Sequence, residues 1–187
     1  RATHWFELEE AGNGYKAKRI KPDLLGSSDP YHRPVAMTFG PDGALYIADF
    51  YSPVIENTSY PKRHPGRDHT RGRIWRITAK GRPLLKQPQI EGRPVTELLE
   101  LLKEYDPLTR HFARRELQER KTDSVLPSLN KWLTTNKTNE QMQLEALWIY
   151  QGLNVRKPKL LQTLLAAKDA HVRTAAVRIL RQWQDGL

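Results

Sequence analysis

The chain of 187 residues contains no cysteine. Disulfides, thiolate metal sites and cysteine nucleophiles are therefore excluded. Apolar residues make up 38% of the sequence, and no run approaches the ~18–20 apolar residues that a membrane-spanning helix needs. No membrane span is expected in this chain. There is no Gly-x-Gly-x-x-Gly and no Walker loop, which disfavours nucleotide chemistry. An Asp-x-Asp-x-Asp calcium loop is also missing. His64 and His69 lie in a Pro- and Gly-containing loop, without the helical i, i+4 pairing or the further ligands that zinc requires, so no metal site is assigned. The first residue is Arg1 and no charged-then-apolar leader follows it, so no signal peptide is expected in this numbering and the sequence reads as a processed or excised piece.

What is present is basic and aromatic. Lys and Arg number 31 against 21 Asp and Glu, for a formal charge of +10. Five Trp, seven Tyr and four Phe argue against wholesale disorder. The positive charge invites a nucleic-acid reading. However, the cations are dispersed over both halves and interleaved with acids from Glu97 to Glu119, which describes a solvated face. No nucleic-acid partner is expected; binding that weakened steeply with salt would overturn that expectation.

Nine of the 11 Gly and ten of the 13 Pro fall at or before Pro94. Strand and turn signals fill the first half, residues 1–80, and helical periodicity fills the second, residues 95–187. The breakers Gly81, Pro83, Pro88, Gly92 and Pro94 make 81–94 a linker. His4 to Leu8 and Gly14 to Lys18 are strand candidates around Gly12-Asn13-Gly14. Pro34 to Phe39, Gly40-Pro-Asp-Gly43 and Ala44 to Asp49 spell a hairpin, and Asp42 is read as a turn residue without chemistry. Arg73 to Thr78 alternates large apolar with basic residues, as a strand with one buried and one wet face would. Between Phe50 and Arg71 lies a long segment without periodicity, the kind of loop that is commonly functional.

The second half repeats. Arg110 to Leu117, Gln143 to Tyr150 and Arg173 to Leu180 align with Ala113, Ala146 and Ala176 in register. Each segment follows a partner with apolar residues at helical spacing: Val95 to Leu102, Val125 to Leu133, and Leu160 to Leu165. This predicts about three helix pairs of the HEAT type, with Asp106-Pro107, Asn139-Glu140 and Asp169-Ala170 at the turns and with Trp132, Trp148 and Trp183 as packing residues.

The order of Pro34-Val, Gly40-Pro-Asp-Gly-Ala-Leu-Tyr-Ile-Ala-Asp49, Arg67-Asp-His-Thr-Arg-Gly-Arg-Ile-Trp-Arg-Ile77, Gly81-Arg-Pro-Leu-Leu85 and a helical array resembles the large secreted dehydrogenase-like proteins typical of planctomycetes. In those a β-propeller similar to the glucose and sorbosone dehydrogenases precedes HEAT repeats and often a c-type haem domain. Ala36 and Arg71 depart from the family, which usually has an acid and a second His there. The resemblance implies that this chain is a terminal propeller blade plus HEAT-like repeats of a longer polypeptide, whose remaining blades would be its partners. A haem domain or a protein on the HEAT surface would be a further partner, the haem lying beyond Leu187. It also implies a periplasmic, secreted or cell-surface location, and a parent that oxidises a sugar, alcohol or aldehyde with pyrroloquinoline quinone and Ca²⁺.

Within that frame His69 is the candidate catalytic base, oriented by Asp68, with Arg67, Arg73 and Arg33 as anion contacts for the quinone and Asp49 as acid, metal ligand or arginine partner. The alternatives stay open: Asp68 caps or pairs with arginines, His69 packs at the start of the strand, Asp49 forms a turn, and His32 is a surface residue. A calcium ion would draw most of its ligands from outside this chain. The competing function is a non-catalytic scaffold at the bacterial cell surface, and this chain alone is not expected to be active.

Overall fold

The computed structural model describes residues 2–11, 14–54 and 63–183, and divides the chain into a sheet unit, Arg1–Lys86, and a helical unit, Gln87–Leu187. The expected turn at Gly12 and Asn13 and the stretch 55–62 of the long loop lie outside the described residues. Among the described residues five strands form two small antiparallel sheets, and six helices follow.

Strands β1 (Ala2–Ala11) and β2 (Gly14–Gly26) form a two-stranded ribbon longer than the sequence predicts. Lys21 and Pro22 do not end β2. The register shifts between Thr3 and Trp5, and the extra residues are taken up there, with Trp5 Nε1 donating to Pro22 O at 2.8 Å. Strands β3 (Pro34–Phe39), β4 (Leu45–Asp49) and β5 (Arg73–Ile77) pair in the order β3-β4-β5. Their first connection is a turn closed by Gly43 N donating to Gly40 O (2.9 Å), followed by Gly43 at φ 75°. Only glycine takes that angle without strain, and an added Cβ would also meet the Leu85 side chain at 2.9 Å.

β5 corrects the expected alternation. Its partners are Asp49 for Arg73 and Ile47 for Trp75, so Arg73 and Trp75 share the inner face, while Ile74 is 76% exposed beside Arg76. A buried carboxylate on β4 draws the arginine inward.

In the helical unit α1 (Val95–Leu101), α2 (Pro107–Glu119), α3 (Thr122–Thr135), α4 (Glu140–Gly152), α5 (Pro158–Leu165) and α6 (Ala170–Trp183) pack in consecutive pairs; α1 also touches α3, and α4 touches both α2 and α6. The same local device recurs three times. Asp106, Asn139 and Asp169 accept from backbone amides in the first turns of α2, α4 and α6. Four residues later Arg110 donates to Glu104 O and Tyr105 O, Gln143 to Lys137 O, and Arg173 to Ala167 O and Lys168 O, satisfying carbonyls just beyond the preceding helix. Ala113, Ala146 and Ala176 follow, each wholly buried where neighbouring helices approach. Trp132 and Trp183 are buried and Trp148 is half-buried. Among the described residues no helix is long and apolar enough to cross a membrane.

Buried apolar side chains are divided unequally. Of those described, only Ala44 and Ile47 belong to the sheet unit; the rest lie in two clusters of the helical unit. The buried polar residues of the sheet unit, Thr3, His32, Asp49 and Ser52, outnumber its buried apolar ones.

Candidate functional site

The polar interior of the sheet unit is organised around one carboxylate. Asp49 closes β4 with a fully buried side chain. Its Oδ1 accepts from Arg33 N (2.8 Å) and Tyr51 N (3.0 Å), and its Oδ2 accepts from His32 Nδ1 (3.0 Å), Arg73 Nε (3.0 Å) and Trp75 Nε1 (2.9 Å). Arg73 Nη2 lies 2.9 Å from the same Oδ2 as an ion-pair contact, and Nη1 donates to Asp29 Oδ2 at 2.6 Å. Burial alone would raise the Asp49 pKa. Hydrogen bonds from Trp75, Arg33 N, Tyr51 N and His32 overrule it and hold the carboxyl well below its usual range. Because an ionised carboxylate only accepts, His32 Nδ1 carries the hydrogen. The imidazole is wholly buried, edge-on to Trp75, and its Nε2 has no partner among the described residues.

Tyr51 completes the cluster: its amide donates to Asp49, and its backbone takes φ 54°, uncommon for a residue other than glycine. Its ring stacks on Tyr31 at 5.0 Å and lies under the Arg73 guanidinium at 4.3 Å. Arg33 is turned back on the chain, donating from Nη1 to His32 O (3.1 Å) and from Nη2 to Pro53 O (3.0 Å).

The remaining candidates lie outside this hydrogen-bonded cluster. Asp68 accepts from Thr70 N (2.9 Å), Thr70 Oγ1 (2.9 Å), Arg71 N (3.1 Å) and Arg71 Nε (2.6 Å). The bonds from Thr70, and then from Arg71, hold its pKa at about 2 against the effect of desolvation. It builds the turn before β5, and no bond from it to His69 is among these contacts. His69 is exposed. Arg67 N donates to His64 O (3.0 Å) one turn earlier. Asp49, Asp68, His69 and Arg73 line one hollow of about 720 Å³ at the ends of β4 and β5. Arg33 and Arg67 do not line it.

His32, expected at the surface, is among the most buried residues of the unit. The signal that places it is the register that sets Asp49 beside Arg73, with Trp75 one step along, since three donors then converge on one carboxylate oxygen. Asp42 serves the turn as expected, accepting from Ala44 N, and also binds Tyr46 Oη and Arg76 Nε.

This donor set does not fit a quinone cofactor or calcium at Asp49. Five hydrogen bonds and an ion pair occupy both carboxylate oxygens, and Arg73 is shared between Asp29 and Asp49, leaving neither group for a ligand carboxylate or a cation. Among the described residues no group of three or more His, Asp or Glu is arranged to hold a metal ion.

Residues 1–81 match a family described as a domain of unknown function (DUF7133). No curated protein and no solved structure matches the chain.

Proposed function

We propose that this chain is a structural piece of a larger dehydrogenase-like protein, with the sheet unit as one blade of a β-propeller and the helical unit as a HEAT-like scaffold. One observation carries the reading: with Ala44 and Ile47 as its only described buried apolar residues, the sheet unit has too little core to fold by itself. The apolar surface it needs is present but uncovered. Met37 and Phe39 are more than half exposed on the face shared with Ile47 and Trp75; Ile74 stands out on the opposite face, above a groove floored by Ala36, Tyr46 and Ala48. A propeller blade is covered on both faces by its neighbours, and this distribution of side chains suits that position. In this reading the Asp49 cluster pins β4, β5 and the Asp29–Arg33 segment together in place of an apolar core.

Expressed alone, residues 1–90 should show no cooperative thermal transition and should gain one only when the neighbouring sheets are supplied. A sharp two-state melt of the isolated segment would overturn the reading.

The hollow lined by the exposed His69 favours a second reading, in which the parent oxidises a sugar, alcohol or aldehyde and His69 sits at the propeller mouth. The quinone would then be held by groups other than Arg33, Asp49 and Arg73. Dye reduction by the parent with pyrroloquinoline quinone and Ca²⁺, lost in His69→Ala, is the outcome this second reading requires.

A further inference from the structure

We infer that the groove between α2, α4 and α6 binds an extended, acidic peptide segment. The groove encloses about 520 Å³ and is lined by His111, Arg115, Gln118, Trp148, Gln151 and Gln182 together with Arg114; among the described residues no carboxylate lines it.

Its floor is a row of side-chain amides, one from each of the three helices. Gln118 lies across Gly152, so closely that a Cβ there would meet its amide, and donates to Trp148 O at 2.8 Å. Gln151 Nε2 donates to Gln182 Oε1. Among the described residues these bonds leave Gln118 Oε1 and Gln151 Oε1 as acceptors and a Gln182 N–H as donor. Carboxamides present the same groups as a peptide backbone, so this set pairs with the N–H and C=O of an extended chain.

The charges select the side chains of that peptide. Arg114 is committed to the buried Glu145, through Nε at 2.9 Å and Nη2 at 2.7 Å, and its guanidinium braces the Trp148 ring at 4.7 Å. His111 and Arg115 are exposed. Arg115 meets Glu119 in a surface pair (2.7 Å) of the kind that contributes little and exchanges readily for another carboxylate. The exposed Arg115 guanidinium, with the exposed His111 ring beside it as a hydrogen-bond donor, suits one or two acidic side chains; a nucleic acid, which is held by many phosphate contacts, would need more.

The inference rests on reading the helical unit as a scaffold with this face uncovered, and it is independent of the blade assignment. The test uses the full chain and fluorescence anisotropy, with a labelled peptide alternating glutamate and alanine, its glutamine counterpart, and a poly-uridine oligonucleotide. The glutamate peptide should bind about tenfold tighter than the glutamine one, as expected for a charge-assisted contact. Arg115→Ala should erase most of that difference, His111→Ala should reduce it further, and Gln118→Ala should weaken both peptides alike. Lys131→Ala, on α3, should change nothing. Equal binding of the two peptides, a preference for the glutamate peptide that survives Arg115→Ala combined with His111→Ala, tighter binding of the oligonucleotide, or no binding at all overturns the inference. Each of those results leaves the melting behaviour of residues 1–90, and so the blade reading, untouched.

Discussion

The ion pair behind that groove makes a quantitative demand. Glu145 is 1% exposed, and Arg114 places Nε and Nη2 on its Oε2 at 2.9 and 2.7 Å. Replacing Arg114 with Met leaves a carboxylate in the interface of α2 and α4 with its counter-charge gone. Stranding a buried charge costs about 3–5 kcal/mol. The Arg114 side chain is 23% exposed, so water reaches part of the site and the lower end, about 3 kcal/mol, applies. For a unit of this size that corresponds to a fall in Tm of roughly 12–24 °C. Glu145→Leu should cost less, about 1–2 kcal/mol, since the freed guanidinium can turn to solvent. The double variant, Arg114→Met with Glu145→Leu, should return close to wild type, because an apolar pair of similar volume avoids the desolvation of both charges. Denaturant unfolding followed by far-UV circular dichroism gives all four corners of the cycle. A double variant as unstable as the sum of its parts, or an Arg114→Met variant indistinguishable from wild type, would refute the argument.

Other consequences follow from single contacts. Tyr150 is fully buried, donates to Asn130 Oδ1 at 2.7 Å, and is pushed up by burial to about 12. An unfolded tyrosine ionises near 10, so its contribution is complete below pH ~10 and is lost as pH rises towards about 12; a spectrophotometric titration compared with Tyr150→Phe isolates this step. Asp49 is shifted the other way. Its stabilisation is complete above the unfolded value near 4 and is lost as pH falls below it. The protection of the Arg33 and Tyr51 amides from hydrogen exchange, relative to their intrinsic rates, should fall there, and Asp49→Asn should remove that acid dependence; an unchanged profile in the variant contradicts the role given to Asp49. Ala146→Leu forces extra methylenes into a wholly buried helix contact and should cost about 1–3 kcal/mol, read from the same denaturant unfolding.

The helices were legible because their signals are local. Apolar spacing, Asp106, Asn139 and Asp169 ahead of each second helix, and the recurrent alanine are all readable within a few residues. The matching duty of Arg110, Gln143 and Arg173 was less visible, since an arginine and a glutamine do not look alike until both are found capping carbonyls five or six positions back. The site was harder. Asp68 beside His69 suggested an oriented imidazole, but an aspartate before Thr-Arg satisfies its own turn first. The histidine that a carboxylate does orient is His32, joined to Asp49 across 17 positions and set against Trp75 on a third strand. Such a contact is fixed by strand register, which no window of the sequence contains. Arg73 misled for the same reason: alternation alone assigns a basic residue to the wet face, and only the buried partner reverses that.

Differential scanning calorimetry of the whole chain decides whether the sheet unit needs a neighbour to fold. One sharp transition is expected, from the helical unit with its two apolar clusters, with a broad, low-enthalpy change from the sheet unit. A second sharp transition, present in the full chain and retained by residues 1–90 alone, would show instead that the sheet unit carries its own core.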